Sequence, residues 1–238
     1  AAIAVFRYVR LREARWYAGM ALFLTVLQAW LGAAQVKNQQ TSAILALHFG
    51  ISLLAFTFTL LAVMAVRNYY RTAPPKRTSR SISAGYKAFV WLLTIFSYIV
   101  VYTGAYTSHT DSGAGCSGFP LCNGQWVPSP LEGAAAVAFT HRMFAYALFA
   151  AVLILALYTA RAYRNYSQMR NAALWSLALV TAQVLSGGLM MALMGTGSYV
   201  VSTLLHTMII TVLFAVLSYL SVTVWKEGKA GSVAVDVQ

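Results

Sequence analysis

Three histidines, His48, His141 and His206, each lie six or seven residues inside one end of a long apolar segment. An ionisable side chain in hydrocarbon is costly, so it marks a functional site by default. Imidazoles at one depth on neighbouring helices can clamp a planar cofactor, and heme iron takes histidine as a standard axial ligand. His141 and His206 are expected to form such a pair from adjacent helices, each about 10 Å below its helix end at 1.5 Å per residue. The alternative is two unrelated buried histidines bonded to backbone or to Ser/Thr hydroxyls. Arg142 directly follows His141. A guanidinium pairs bidentately with carboxylates, so a contact to a heme propionate is one reading. Snorkelling to the headgroups is the other.

The elements that hold these residues are apolar helices. Of 238 residues 60% are hydrophobic and 9% charged, which is a membrane composition. A spanning helix needs about 20 mostly apolar residues. Six segments qualify: Trp16–Val36, Ser42–Val66, Ala88–Ser108, Ala134–Tyr158, Ala172–Met194 and Tyr199–Trp225. They hold no Asp, Glu or Lys, and Arg142 is the one basic intrusion. The runs are too long for barrel strands and do not alternate. The expected fold class is all-α, a polytopic membrane helix bundle with six transmembrane helices.

The formal charge of +12 raises the question of nucleic acid, but its placement answers it. The N-terminal stretch, the segments 67–87 and 159–171 and the C-terminal stretch hold 4, 6, 3 and 2 Lys/Arg, 15 of the 17. Lys37 and Arg142 fall on the other side. This is the positive-inside pattern, so both termini are expected in the cytoplasm and no nucleic-acid partner is expected. Cys116 and Cys122 then share an outside loop. An oxidising compartment makes a disulfide the default, with two free thiols as the alternative. Zinc is disfavoured, since a structural site wants four ligands and His109 and Asp111 are the nearby candidates. Trp126 and Phe119 in that loop are expected to anchor at the membrane interface. No signal peptide is visible, and apolar Ala1–Phe6 reads as the end of an earlier helix.

A weak parallel repeat organises the chain. Gln28…Gly32 followed by His48 matches Gln183…Gly187 followed by His206, with Gly-to-His spacings of 16 and 19. The third and fourth helices form a different hairpin, carrying His141. The order B–A–B is expected to be the later part of an eight-helix A–B–A–B protein. Residues 1–66 are the remainder of a first four-helix unit, 67–87 a cytoplasmic linker around Pro74-Pro75, 88–225 a second unit and 226–238 a cytoplasmic tail. Gly32, Gly104, Gly187 and Gly188 would allow close approach of helices or of a porphyrin, packing being the favoured reading. Gln28 and Gln183 would bond a heme edge or, preferably, join helices.

The stretch Tyr98–Tyr106, then His109-Thr-Asp-Ser, Cys116…Pro120-Leu-Cys122-Asn-Gly and Thr140-His-Arg142 resembles the second half of bacterial heme A synthase. Gln28…Gly32, Ala46-Leu-His-Phe-Gly50 and Leu205-His206 also fit that family, from Trp16 to about Trp225. The resemblance implies a cell-membrane enzyme that oxidises a methyl of heme O to the formyl of heme A for cytochrome oxidase assembly. It implies a heme b held by His141 and His206, His48 on the substrate-heme side, and a Cys116–Cys122 disulfide. The partners it implies are heme O, the lipid bilayer, and a heme O synthase or cytochrome oxidase subunits, with a homo-oligomer left open. The family's first hairpin, with its histidine, cysteine loop and glutamate, has no counterpart here. Ala138 stands three before His141, so no acid replaces that glutamate, and no catalytic residue is assigned. A bis-histidine site suits electron transfer or cofactor storage, because oxygen activation needs an open position. Two other readings remain: a non-catalytic bis-His membrane cytochrome, and a heme-free oxidase assembly scaffold.

Overall fold

The computed structural model describes residues 11–37, 41–70 and 81–235. Ala1–Phe6, Pro74-Pro75 and much of the basic 67–87 linker lie outside the described residues. Six long helices appear: α1 (Arg12–Lys37), α2 (Ser42–Tyr69), α3 (Ala84–His109), α4 (Gly133–Ala162), α5 (Ser167–Ala192) and α6 (Tyr199–Val235). A 3-10 turn, Ser112–Gly115, follows α3. All six helices contain a stretch long and apolar enough to cross a membrane, and the protein is a multi-pass, all-α membrane protein.

The helices outrun the apolar segments that announce them. Hydropathy places the start of α3 at Ala88, because Lys87 interrupts the run. The helix begins at Ala84, where the Ser83 side chain accepts from Tyr86 N at 3.3 Å and caps the first turn. Lys87 lays its methylenes toward Gly228 on α6, so the charge ends the hydrocarbon span without ending the helix. α6 likewise runs ten residues beyond Trp225. α5 ends at Ala192, two residues short of the expected Met194, as the chain turns through Gly195 at φ +82.

The chain divides into two compact units, residues 1–77 and 78–238. In the first, α1 and α2 form a hairpin. Ala14, Ala18, Ala21 and Leu24 of α1 and Ala46, Leu53, Leu61, Ala62 and Ala65 of α2 are buried. Most of these side chains are small, so the backbones approach closely. Trp16 and Tyr17 meet Phe58 at ring-centroid distances of 5.5 and 6.2 Å.

In the second unit four helices close a ring: α3 packs on α4, α4 on α5, α5 on α6, and α6 on α3. α4 and α6 therefore stand diagonally opposite and do not pack directly. Val90, Leu93, Val152, Leu155, Val180, Leu213, Leu217 and Leu220 fill the bundle toward the end away from the 110–132 loop, each at most 3% exposed. Helical spacing lines such positions up on one face, as Leu213, Leu217 and Leu220 do on α6. At the level of the histidines three of these helices are less tightly closed. Residues 102–106 of α3, 141–146 of α4 and 203–209 of α6 contain no fully buried side chain. The histidines sit at that level.

Candidate heme-binding site

His141 projects from α4 and His206 from α6, so the two expected ligands lie on diagonal helices rather than adjacent ones. The even-numbered helices of a four-helix ring face each other across its centre, which hairpin counting alone does not show. His48 stands on α2 in the first unit.

Each imidazole rests on a glycine of the preceding helix. A Cβ built on Gly104 would lie 2.7 Å from His141 Cε1. On Gly187 it would lie 3.3 Å from His206 Cε1, and on Gly32 3.5 Å from His48 Cε1. These glycines are close-approach positions as expected, and the approaching group is a ring edge. The fourth, Gly188, receives the Phe119 ring, with Cδ1 3.2 Å from a built Cβ.

Hydroxyls sit beside Nδ1 of two of the rings. Ser186 Oγ donates to the Gln183 carbonyl at 2.9 Å and lies 2.8 Å from His206 Nδ1. The Gln183 amide nitrogen lies 2.9 Å from His206 Nε2. On α3, Thr103 Oγ1 donates to the Val100 carbonyl at 2.9 Å and lies 3.1 Å from His141 Nδ1. When Nδ1 carries the proton, each hydroxyl oxygen accepts it and Nε2 is left with the lone pair that binds a metal. Ligating histidines characteristically give their other N–H to such an acceptor. Gln183 joins α5 to α6 through His206, the helix-joining role favoured for it. Its Oε1 is buried with no partner, as is Gln28 Oε1. An amide held by one bond can turn away and leave Nε2 to another acceptor, so the donor set fits a bis-histidine heme.

Above the site the 110–132 loop is tied down. Cys116 and Cys122 form a disulfide with Cα atoms 4.7 Å apart, and both are buried against Ala138 and Phe139. Asn123 and Gly124, both at positive φ, make the Asn-Gly turn that returns the chain to Gln125. Asn123 Oδ1 accepts from Ser117 N and Oγ at 2.9 and 2.8 Å, and its Nδ2 donates to the Gly115 carbonyl at 3.0 Å. Arg142 grips this knot from below. Nη1 donates to the Leu121 carbonyl at 2.6 Å and Nη2 to the Cys116 carbonyl at 3.0 Å. Tyr146 OH donates to the Pro120 carbonyl at 3.0 Å.

Neither sequence reading of Arg142 includes this clamp, which uses two of its five N–H donors. Thr103, Ser186 and Tyr146 also escape sequence reading. The signal for the first two is a hydroxyl residue immediately before a glycine, Thr103-Gly104 and Ser186-Gly187, on the helix preceding each histidine. Phe119 is half-exposed and packs on Gly188 and Tyr146 (centroids 6.5 Å), so it seats the loop as well as facing outward. Trp126 is 80% exposed, as an interface anchor must be.

Residues 1–218 match the model of the COX15-CtaA family, described as cytochrome oxidase assembly protein. The chain is 43% identical over 202 residues to a heme A synthase of Symbiobacterium thermophilum, covering 83% of this chain and 64% of that protein. It is 33% identical over 228 residues to a heme A synthase of Shouchella clausii, covering 94% of this chain and 74% of the relative. With a heme A synthase of Alkalihalophilus pseudofirmus it shares 36% over 216 residues, 90% and 70% of the two chains. The chain thus spans just under two thirds of the length of the first of these relatives. It belongs to the COX15-CtaA family.

Proposed function

We propose that residues 78–238 form the heme b unit of a heme A synthase, in which His141 and His206 would hold the heme iron. The observation that carries the reading is the pair of imidazoles on diagonal helices of one four-helix ring, each with a hydroxyl at Nδ1. The looser packing of α3, α4 and α6 at their level, against the closed core beyond it, supports a cofactor at this height. A heme b held there would supply a one-electron couple. The chain's own residues orient it: the glycines admit the imidazoles, and Arg142 and Tyr146 hold the Cys116–Cys122 loop over the site. In this reading the remaining Arg142 N–H donors would pair with a propionate. The loop end faces outside and the basic ends face the cytoplasm, in keeping with the Lys/Arg distribution.

His48 belongs to the substrate-heme side in this reading, and the enzyme oxidises a heme O methyl to the heme A formyl. The names of the relatives and the match of residues 1–218 support that activity. Membranes containing the protein, supplied with heme O and oxygen, should yield heme A on extraction. Retention of a bis-His heme with no conversion would instead support a non-catalytic cytochrome. The heme-free scaffold is favoured by one observation, that both ring nitrogens of His206 already have protein partners. Titration of the purified chain with hemin separates it: saturation near one equivalent with a low-spin spectrum refutes the scaffold.

A further inference from the structure

The three histidines share a glycine seat but not a proton acceptor. Thr103 and Ser186 each precede the seat glycine by one residue, and their hydroxyl oxygens lie 3.1 and 2.8 Å from Nδ1 of His141 and His206. The corresponding residue before Gly32 is Leu31, which has no hydroxyl. Accordingly His48 Nδ1 is buried with no hydrogen-bond partner among the described residues. The imidazole lies against the glycine in all three seats.

We propose that Thr103 and Ser186 are positioning residues that lock His141 and His206 as metal-ready Nδ1–H tautomers, and that Leu31 leaves His48 deliberately unlocked, as an exchangeable ligand. The inference rests on the heme reading above for its consequence, and on the hydrogen bonds alone for its geometry. A hydroxyl oxygen accepting from Nδ1–H pushes electron density toward Nε2. That strengthens the bond to ferric iron more than to ferrous and lowers the potential of the couple. The same acceptor raises the cost of turning the ring, so the ligand stays in place. A histidine that must release a heme after each use is better without it. The division suits one site that keeps its heme and another that exchanges it.

Two measurements test this, and the first needs no heme. The chain has four histidines, so selective 15N-histidine labelling gives a small set of ring signals. At a pH where the rings are neutral, His141 and His206 should each show a single Nδ1–H tautomer, the reverse of the Nε2–H form that a free histidine side chain favours in water. His48 should show the Nε2–H form or an exchanging mixture. Ser186→Ala and Thr103→Ala should each release their own histidine from the lock, Ser186→Thr and Thr103→Ser should retain it, and Leu31→Ser should confer it on His48. The second measurement is potentiometric, on the heme-loaded chain. Each alanine variant should lose roughly tenfold in ferric over ferrous preference, an upward shift of about 59 mV, which the conservative variants do not show. The proposal is overturned if all three histidines share one tautomer, or if the alanine variants leave both tautomer and potential unchanged. A chain that binds no heme would sink the heme b reading, while the nitrogen spectra would still decide whether the hydroxyls set the tautomers.

Discussion

Replacing the three seat glycines by alanine should give a graded series set by distance. At Gly104 the new methyl would sit 2.7 Å from His141 Cε1, 3.2 Å from Nε2 and 3.4 Å from Nδ1. Ordinary carbon contacts are about 3.5–4.0 Å, so the ring must retreat by about 1 Å. That retreat stretches the 3.1 Å bond to Thr103 beyond hydrogen-bonding range. Overpacking costs about 1–3 kcal/mol and the lost bond about 1 kcal/mol more. The helical gain of Ala over Gly, about 1 kcal/mol, offsets part of this. The net for Gly104→Ala is a destabilisation of about 1–3 kcal/mol. At Gly187 the 3.3 Å approach asks His206 to give a few tenths of an ångström, and gain and loss should nearly cancel. At Gly32 the 3.5 Å distance is ordinary contact, so Gly32→Ala should be neutral or stabilising by up to about 1 kcal/mol. Thermal unfolding of each variant in one detergent, followed by circular dichroism, reads the order. Gly32→Ala as damaging as Gly104→Ala, or a neutral Gly104→Ala, would refute the seat geometry.

Arg142→Lys should loosen the disulfide loop, because one ammonium cannot span the Leu121 and Cys116 carbonyls as the guanidinium does. Hydrogen exchange across residues 116–125 should speed up by roughly tenfold or more, at about 1.5–3 kcal/mol for each charged hydrogen bond; unchanged exchange would remove the clamp. Cys116→Ser with Cys122→Ser should cost about 2 kcal/mol, the chain-entropy value for so short a loop. In the parent chain a thiol reagent should label only after reduction, and labelling beforehand would contradict the bridge. His48→Ala should leave the heme b of the second unit at full stoichiometry, since His48 lies in the other unit; a proportional loss of that heme would reassign the ligands.

The six helices were legible because a membrane span declares itself by length and apolarity. Their ends were not, because a helix stops at its cap and not at its last apolar residue, as Ser83 and Gly195 show. The histidines were legible for a related reason, an ionisable group in hydrocarbon being conspicuous. What surrounds them was hidden. Thr103 and Ser186 look like ordinary small helix residues until the fold sets their hydroxyls 3.1 and 2.8 Å from Nδ1. The diagonal placement of His141 and His206 follows from ring closure between α3 and α6, a contact between segments some hundred residues apart. Arg142 was expected to face lipid or cofactor, since no sequence rule foretells that backbone carbonyls of a folded-back loop will lie within its reach.

The central claim, that His141 and His206 ligate one heme b, is tested most directly by a reduced-minus-oxidised spectrum with pyridine extraction on the purified chain and on His141→Ala and His206→Ala. The account predicts a low-spin b-type signal at about one heme per chain in the parent, lost or turned high-spin in each variant while the protein still inserts in membranes. An unchanged spectrum and stoichiometry in both variants would contradict it.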